Sequence, residues 1–293
     1  MSRCIKVLKF GGSSLGTVDR IRTVTGIIAN VAREYQPVVV IVSALQGITD
    51  QLERVADETD QCVAEEQINA VIDRHLAFGD TLLTEYERDI YRGFVDVTTV
   101  SLLKKMTHGA SPEVVRDEIL AVGERLSAPL IAAALRSSGC EGTAWDAAAI
   151  IRTDSTFGEA TVDWVTTSES IRRWYTSVDG VAIVTGFIAA DGSGRTTTLG
   201  RGGSDYSAAI FASALGATVL ERWTDVDGIY TSDPATDQAA KRLGEIKLDD
   251  ACLLNRDGKF GMHRDTLDPV AQKGIPIHVR STFRPEQEGT WIR

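Results

Sequence analysis

The chain has 293 residues, of which 43% are hydrophobic and 25% charged, with a formal net charge of −10. That length buries the core of one large α/β domain or of two lobes, and the balance of apolar and charged residues is that of an ordinary folded domain. The acidic excess argues against a nucleic-acid partner, which calls for a basic face, and any anion site must rely on local N–H groups and a few placed cations.

Cys4, Cys62, Cys140 and Cys252 are widely spaced and form no paired-cysteine motif, so neither zinc nor a disulfide framework is expected, and a reducing cytoplasm fits. No apolar run approaches the roughly 20 residues that a bilayer span requires, so no membrane partner is expected, and no signal-peptide layout precedes the first strand.

In chain order, Cys4 to Phe10 predicts a short strand that ends at the turn Gly11-Gly12-Ser13-Ser14. Apolar Ile21, Val24, Ile27, Ile28 and Val31 fall on one side of a helix over about 18–34. Val38 to Val42 is β-branched throughout, as in a strand buried on both faces of a parallel sheet. Ser43 to Thr49 is a small-residue turn at that strand's C-terminal end, where open α/β sheets bind ligands. From Thr49 to about Leu135 the pattern is almost wholly helical, with His75 and His108 expected on its surface. Strands resume at Gly142 to Asp146 and Val181 to Thr185, and the polar stretch between them is expected to be irregular.

Thr196 to Asp205 then reads as strand, glycine turn and the start of an alanine-rich helix. Glycines let backbone N–H groups approach a ligand, and the helix that follows directs its positive end into the same turn. Asp205 suits the first helical turn, and Ser204 is either its N-cap or a ligand-facing group. Arg201 adds a planar cation suited to a carboxylate or a phosphate. Ala217 to Trp223 is a further strand running into the acidic loop Thr224 to Pro234, and Pro276 to Arg280 is the last clear strand. Two anion-type turns, each between a strand and a helix, indicate two anionic groups held close together, as phosphoryl transfer requires. Alternating strands and helices predict an α/β fold, a three-layer α/β/α sandwich with a mainly parallel open sheet.

The turns at 9–14 and 43–49, Gly123-Glu124, Arg152-Thr153-Asp154 with Phe157-Gly158, the Gly200 to Asp205 turn and Trp223 to Pro234 occur in one order along the chain. In that order they resemble the catalytic domain of the aspartate kinases, within the amino-acid kinase superfamily, over essentially the whole length. The resemblance implies transfer of the γ-phosphoryl group of ATP, with Mg2+, to the side-chain carboxylate of L-aspartate, the entry to lysine, threonine and methionine synthesis. It implies that Lys9 bridges the phosphoryl group, contacted by Gly11, Gly12 and Ser13. Arg201 would clamp an aspartate carboxylate, with Glu124 near the amino group and Ser43, Thr49 and Ser204 beside it. Asp205 would position the lysine and the metal-bound phosphates, and Thr224, Asp225, Tyr230, Asp233 and Lys259 would serve the nucleotide. An N-lobe over about 1–191 would bind the amino acid and a C-lobe over about 192–293 the nucleotide.

The sequence departs from the pattern at two basic positions. Ala235 stands where the family usually has arginine, and Phe260 aligns with a lysine, leaving Lys259 one residue early. A loop shift that lets Lys259 serve, weaker nucleotide binding, and a regulatory paralogue all accommodate this. The family's C-terminal ACT domains are not expected here, which leaves a homo-oligomer or a separate regulatory subunit as possible partners. Gly12-Ser13-Ser14-Leu15-Gly16 also matches the nucleophile elbow of α/β-hydrolases, with His263 or His278 to complete a triad, but only one strand precedes it.

Overall fold

The computed structural model describes residues 4–107, 111–232, 237, 239–256 and 265–293. Strand β1 (Lys6–Phe10) leads through a one-turn 3-10 helix (Gly12–Leu15) into α1 (Val18–Glu34) and then β2 (Val38–Val42). Four helices follow: α2 (Ile48–Asp57), α3 (Gln61–Leu82), α4 (Glu85–Thr107) and α5 (Pro112–Ser137). Next come β3 (Gly142–Trp145), β4 (Arg152–Thr153), α6 (Trp164–Tyr175), β5 (Val181–Thr185), β6 (Ile188–Asp191) and β7 (Thr196–Thr198). Helix α7 (Gly203–Leu215), β8 (Val219–Thr224), β9 (Ile229–Tyr230), β10 (Arg242–Leu243) and β11 (Glu245–Ile246) precede α8 (Leu248–Arg256), α9 (Leu267–Ala271), β12 (Ile277–Ser281) and β13 (Thr290–Ile292).

Eight strands form one sheet in the order β11-β13-β12-β8-β1-β2-β5-β3, and only the β12–β13 pair is antiparallel. Strand alternation divides its side chains between two cores. Leu8, Phe10, Val38, Val40 and Val42 face a core shared with α1 to α5, whereas Val7, Val39 and Ile41 face one built from α6, α7 and α9. The result is the expected three-layer arrangement, with β1 and β2 in the middle of the sheet and their C-terminal ends at one edge.

Two expectations are corrected. The stretch between β3 and β5 contains helix α6, which buries Thr167, Ile171 and Trp174 at spacings of four and three. Its sparse apolar stripe among Thr, Ser and Arg hides the period, but the Asp163 side chain caps it by accepting the Thr166 N–H at 3.1 Å. His75 is fully buried in α3, with Nδ1 2.8 Å from the Val71 carbonyl, and burial pulls its pKa down to about 4. His108 lies outside the described residues.

Candidate functional site

Lys9 is the fourth residue of the central strand, and the parallel register sets it against Arg222 of β8. Its ammonium lies 2.8 Å from Asp205 Oδ1 in the first turn of α7, and Arg222 Nε reaches the same oxygen at 3.3 Å. Burial alone would push the Asp205 carboxyl up, but Arg222 and Lys9 outweigh it and hold Asp205 below its ordinary range. One buried carboxylate therefore fixes two cations at the end of the sheet. Arg222 was missed in the sequence, although a Glu-Arg pair inside a buried strand is itself a signal.

Beyond Lys9 the ends of β1, β2 and β7 open into a cleft of about 530 Å3. It is lined by Lys9, Gly12, Ser13, Ser43, Thr49, Glu124, Arg201 and Ser204, so eight sequence-predicted residues from distant segments meet there. Helices α2 and α7 both start at its wall, and their N-caps, Gly47 and Gly202, are left-handed residues with no side chain to offer the first-turn amides. Those positive helix ends favour an anion. Ser204 is thus not the N-cap: left-handed Gly200 and Gly202 reverse the chain before it, and Ser204 lies inside the helix, facing the cleft.

Helix α5 supplies the opposite wall. Glu124 is 2% exposed; its Oε1 accepts the Ala44 N–H at 3.0 Å, and its buried Oε2 has no partner. Burial pushes its pKa up to about 8. Ser127 Oγ donates to the Ser43 carbonyl at 2.8 Å, so α5 clamps the β2 turn. The approach is close enough that a Cβ on Gly123 would lie 2.7 Å from the Ala44 Cβ.

Several cleft residues were not foreseen. Phe187 lines it with φ +68, a conformation unusual for a non-glycine residue, held by its N–H to Ser207 Oγ and its carbonyl to the Leu199 N–H, each 2.9 Å. Buried Asp117 accepts from the Thr198 N–H (2.8 Å), Thr198 Oγ1 (3.0 Å) and the Gly158 N–H (3.0 Å), tying β7 and the 158 turn to α5. Arg116 also lines the cleft and pairs with Asp57. Nothing in the local sequence distinguishes these residues from their charged or apolar neighbours.

The nucleotide-side residues sit next along the edge. The Gly11 N–H points at the Trp223 carbonyl (3.4 Å), so Thr224 lies beside the first glycine turn but outside the cleft lining. Thr224 Oγ1 donates to Asp225 Oδ1 at 3.0 Å, and the Tyr230 hydroxyl donates to Asp227 at 2.7 Å. Asp233 and Lys259, like Ala235 and Phe260, lie outside the described residues. The hydrolase reading does not survive: Ser14 is fully buried and shares a 2.7 Å hydrogen bond with Thr282, while His278 Nε2 is engaged by the Glu288 carbonyl. His263 lies outside the described residues.

The amino acid kinase family profile matches residues 5–281. The chain belongs to the amino acid kinase family. It is 32% identical over 296 residues to the lysine-sensitive aspartokinase 3 of Escherichia coli (strain K12) and 33% identical over 291 residues to the aspartokinase of Chlamydia pneumoniae. These matches cover 98% of this chain but 64% and 62% of the relatives, so the chain spans less than two thirds of their length. A crystal structure of E. coli aspartokinase III in complex with aspartate and ADP superposes with a TM-score of 0.87 at 33% identity, covering 98% of this chain and 64% of that one. The uridylate kinase of Archaeoglobus fulgidus, 18% identical with a TM-score of 0.57, shares the fold. No described helix is long and apolar enough to cross a membrane.

Proposed function

We propose that this amino acid kinase transfers the γ-phosphoryl group of MgATP to the side-chain carboxylate of L-aspartate, giving 4-phospho-L-aspartate and ADP. The observation that carries the reading is the single cleft in which Lys9, Glu124 and Arg201 converge with the Ser43 to Thr49 turn. An amino acid with a second carboxylate needs one acceptor for its ammonium and donors for two acids, and Glu124, Arg201 and the turn hydroxyls have that chemistry. The likeness to a solved aspartokinase with aspartate and ADP supports it further.

The nucleophile is already ionised at neutral pH, so no general base is required. The protein's work is to bring two anions together and neutralise them. Lys9 meets the transferring group, Gly12 and Ser13 contact it with Gly11 shaping the turn, and Asp205 keeps the Lys9 ammonium in place. The residues present fit a metal-bound nucleotide, since a buried carboxylate and two cations stand beside amide-lined turns. Mg2+ bound to the phosphates would offset their charge. Thr224, Asp225, Tyr230, Asp233 and Lys259 are assigned to the nucleotide, in a C-lobe from about 192 onward, and the amino acid to the N-lobe. A cytoplasmic role at the head of lysine, threonine and methionine synthesis belongs to the same reading.

Hydroxamate formation from ATP and hydroxylamine tests it, with aspartate, glutamate and N-acetylglutamate compared and GTP in parallel. The expected result is signal with aspartate and ATP above all other pairs. A preference for another carboxylate, or no signal with any, would overturn the assignment.

A further inference from the structure

The two turns that meet in the cleft touch each other at the back. A Cβ built on Gly12 would lie 3.0 Å from the Ala44 carbonyl oxygen and 3.6 Å from the Gln46 N and Cα, so the glycine turn after β1 rests directly on the turn after β2. Gly12 and Ser13 line the cleft on one side of that seam, and Ser43, Gln46 and Thr49 on the other. In the proposed reaction the first turn contacts the transferring phosphoryl group and the second holds the acceptor acid. Two anions brought together there repel, and the repulsion acts to part the seam.

One side chain spans the seam from behind. Arg20, in the first turn of α1, stands outside the cleft lining, and its Nη1 donates to the Ser13 carbonyl at 2.9 Å and to Gln46 Oε1 at 3.0 Å. Its guanidinium also lies 4.6 Å from the ring centroid of Phe283, in the corner after β12. That corner is fastened to the ends of both neighbouring segments: Thr282 Oγ1 shares its hydrogen bond with Ser14, and the Thr282 N–H donates to the Thr224 carbonyl at 2.8 Å. Gly16 leaves the room for this junction. A Cβ there would overlap Gln46 Oε1 and lie 2.9 Å from Arg20 Nη1, although its backbone, at φ −77 and ψ −21, suits any residue.

We propose that Arg20 is a positioning residue for the transfer step: it ties the phosphoryl-side turn to the acid-side turn, and so sets the gap across which phosphorus leaves the ADP oxygen for the carboxylate oxygen. This rests on the reaction proposed above, and concerns how the two anions are held rather than which acid is used. When the tie is cut, each turn keeps its own ligand contacts, so binding of either ligand alone is spared and their separation is what changes. Reacting atoms must stand about 3–3.5 Å apart, and a misplacement of about 1 Å costs up to about a hundredfold in rate. A guanidinium suits the task, because one nitrogen reaches two acceptors while the planar group rests on an aromatic ring.

Two variants cut the tie in different ways. Arg20→Met removes the donor, whereas Gly16→Ala displaces the Gln46 and Arg20 side chains and leaves both residues in the chain. Rapid-quench single turnovers with both substrates saturating read the transfer step, and calorimetry reads the affinity for aspartate alone and for MgADP alone. The expected result is a single-turnover rate about 10- to 100-fold lower in each variant, with both affinities within about threefold of wild type. Gly16→Ala should melt near wild type, because the atoms it meets are the ends of flexible side chains. The double variant should lose no more than the slower single one, since both act on one tie. A near wild-type rate in Gly16→Ala overturns the proposal. So do losses that multiply in the double variant, or a rate loss matched by an equal loss of affinity for one ligand alone. If the wild type prefers another acid, the aspartate assignment falls and the same comparison with that acid decides the role of Arg20; a wild type that phosphorylates no acid overturns both.

Discussion

Replacing Glu124 by glutamine separates charge from shape in the cleft, because the amide still accepts the Ala44 N–H through Oε1. In the empty protein burial lifts this carboxyl from 4.5 to about 8. Between those values the folded protein keeps a proton that the unfolded chain has released, so stability falls as pH rises from 4.5 to 8. Above pH 8 the buried charge costs about 5 kcal/mol as an upper figure. Glu124→Gln should therefore stabilise the empty protein by a few kcal/mol at pH 8.5 and hardly at all at pH 5.

Substrate binding should move the opposite way. A substrate ammonium at Oε2 gives a charge-assisted hydrogen bond worth about 1.5–3 kcal/mol, so at pH 8.5 the variant should bind aspartate about 10- to 100-fold more weakly. At pH 7 only about one Glu124 in ten is ionised beforehand, and the proton lost on binding takes back about 1.4 kcal/mol, which shrinks the variant's deficit by about tenfold. Wild-type affinity should rise up to about fivefold per pH unit from 6 to 8, with roughly half to most of one proton released per aspartate at pH 7, and the variant should show neither. Calorimetry in buffers of different ionisation enthalpy counts that proton, and urea titration at pH 5 and 8.5 reads the stability. A flat wild-type affinity from pH 6 to 8 would refute the reasoning, as would an unchanged slope in Glu124→Gln.

Three further outcomes follow from the same structure. Lys9→Ala removes the cation held by Asp205 and should lower turnover by roughly 10²–10³, measured as kcat in the hydroxamate assay; a near-normal rate would remove Lys9 from its role. A Cβ at Gly186 would lie 2.7 Å from the Ser204 Cβ, so Gly186→Ala should cost about 1–3 kcal/mol in urea unfolding and raise the KM for aspartate, since the residue displaced lines the cleft. His75 is held neutral with its pKa pulled down to about 4, so below its ordinary 6.5 the unfolded chain takes up a proton that the folded chain refuses. Stability should drop by about 2 kcal/mol between pH 7 and pH 5, and a chain with His75→Leu should lose less over that range.

What the sequence made legible is what repeats or breaks a period. The β-branched run Val38–Val42, the apolar spacing of α1 and the left-handed glycines at 200 and 202 each force a local conformation, and those conformations bring Lys9, the 43–49 turn and Arg201 to one sheet edge. Residues that act through packing left no such mark. His75 has charged neighbours in the chain, yet it falls on the inward face of α3 because Ile68 and Val71 set that face seven and four residues earlier. Asp117, Arg222 and Phe187 gain their significance from partners far away in sequence, at Thr198, Asp205 and Ser207, and no local pattern encodes those partners.

Helix α5 shows why the site lies where it does. Arg116, Leu120 and Glu124 line the cleft, while Glu118, Val122 and Arg125, on another face of the same helix, line a second cavity. Asp117 and Glu118 grip β7 at alternate residues, Asp117 on Thr198 and Glu118 on Thr196 at 2.8 Å, matching the two-residue period of a strand. In a chain with a net charge of −10, this concentration of acids on one buried helix is compensated locally, by Arg125 on Glu118 and by backbone N–H groups on Asp117 and Glu124. Only Glu124 Oε2, among the oxygens of these three acids, has no donor. The acid left unsatisfied is the one that faces the cleft, so a cationic group entering there gains a partner that the fold has withheld from its own backbone.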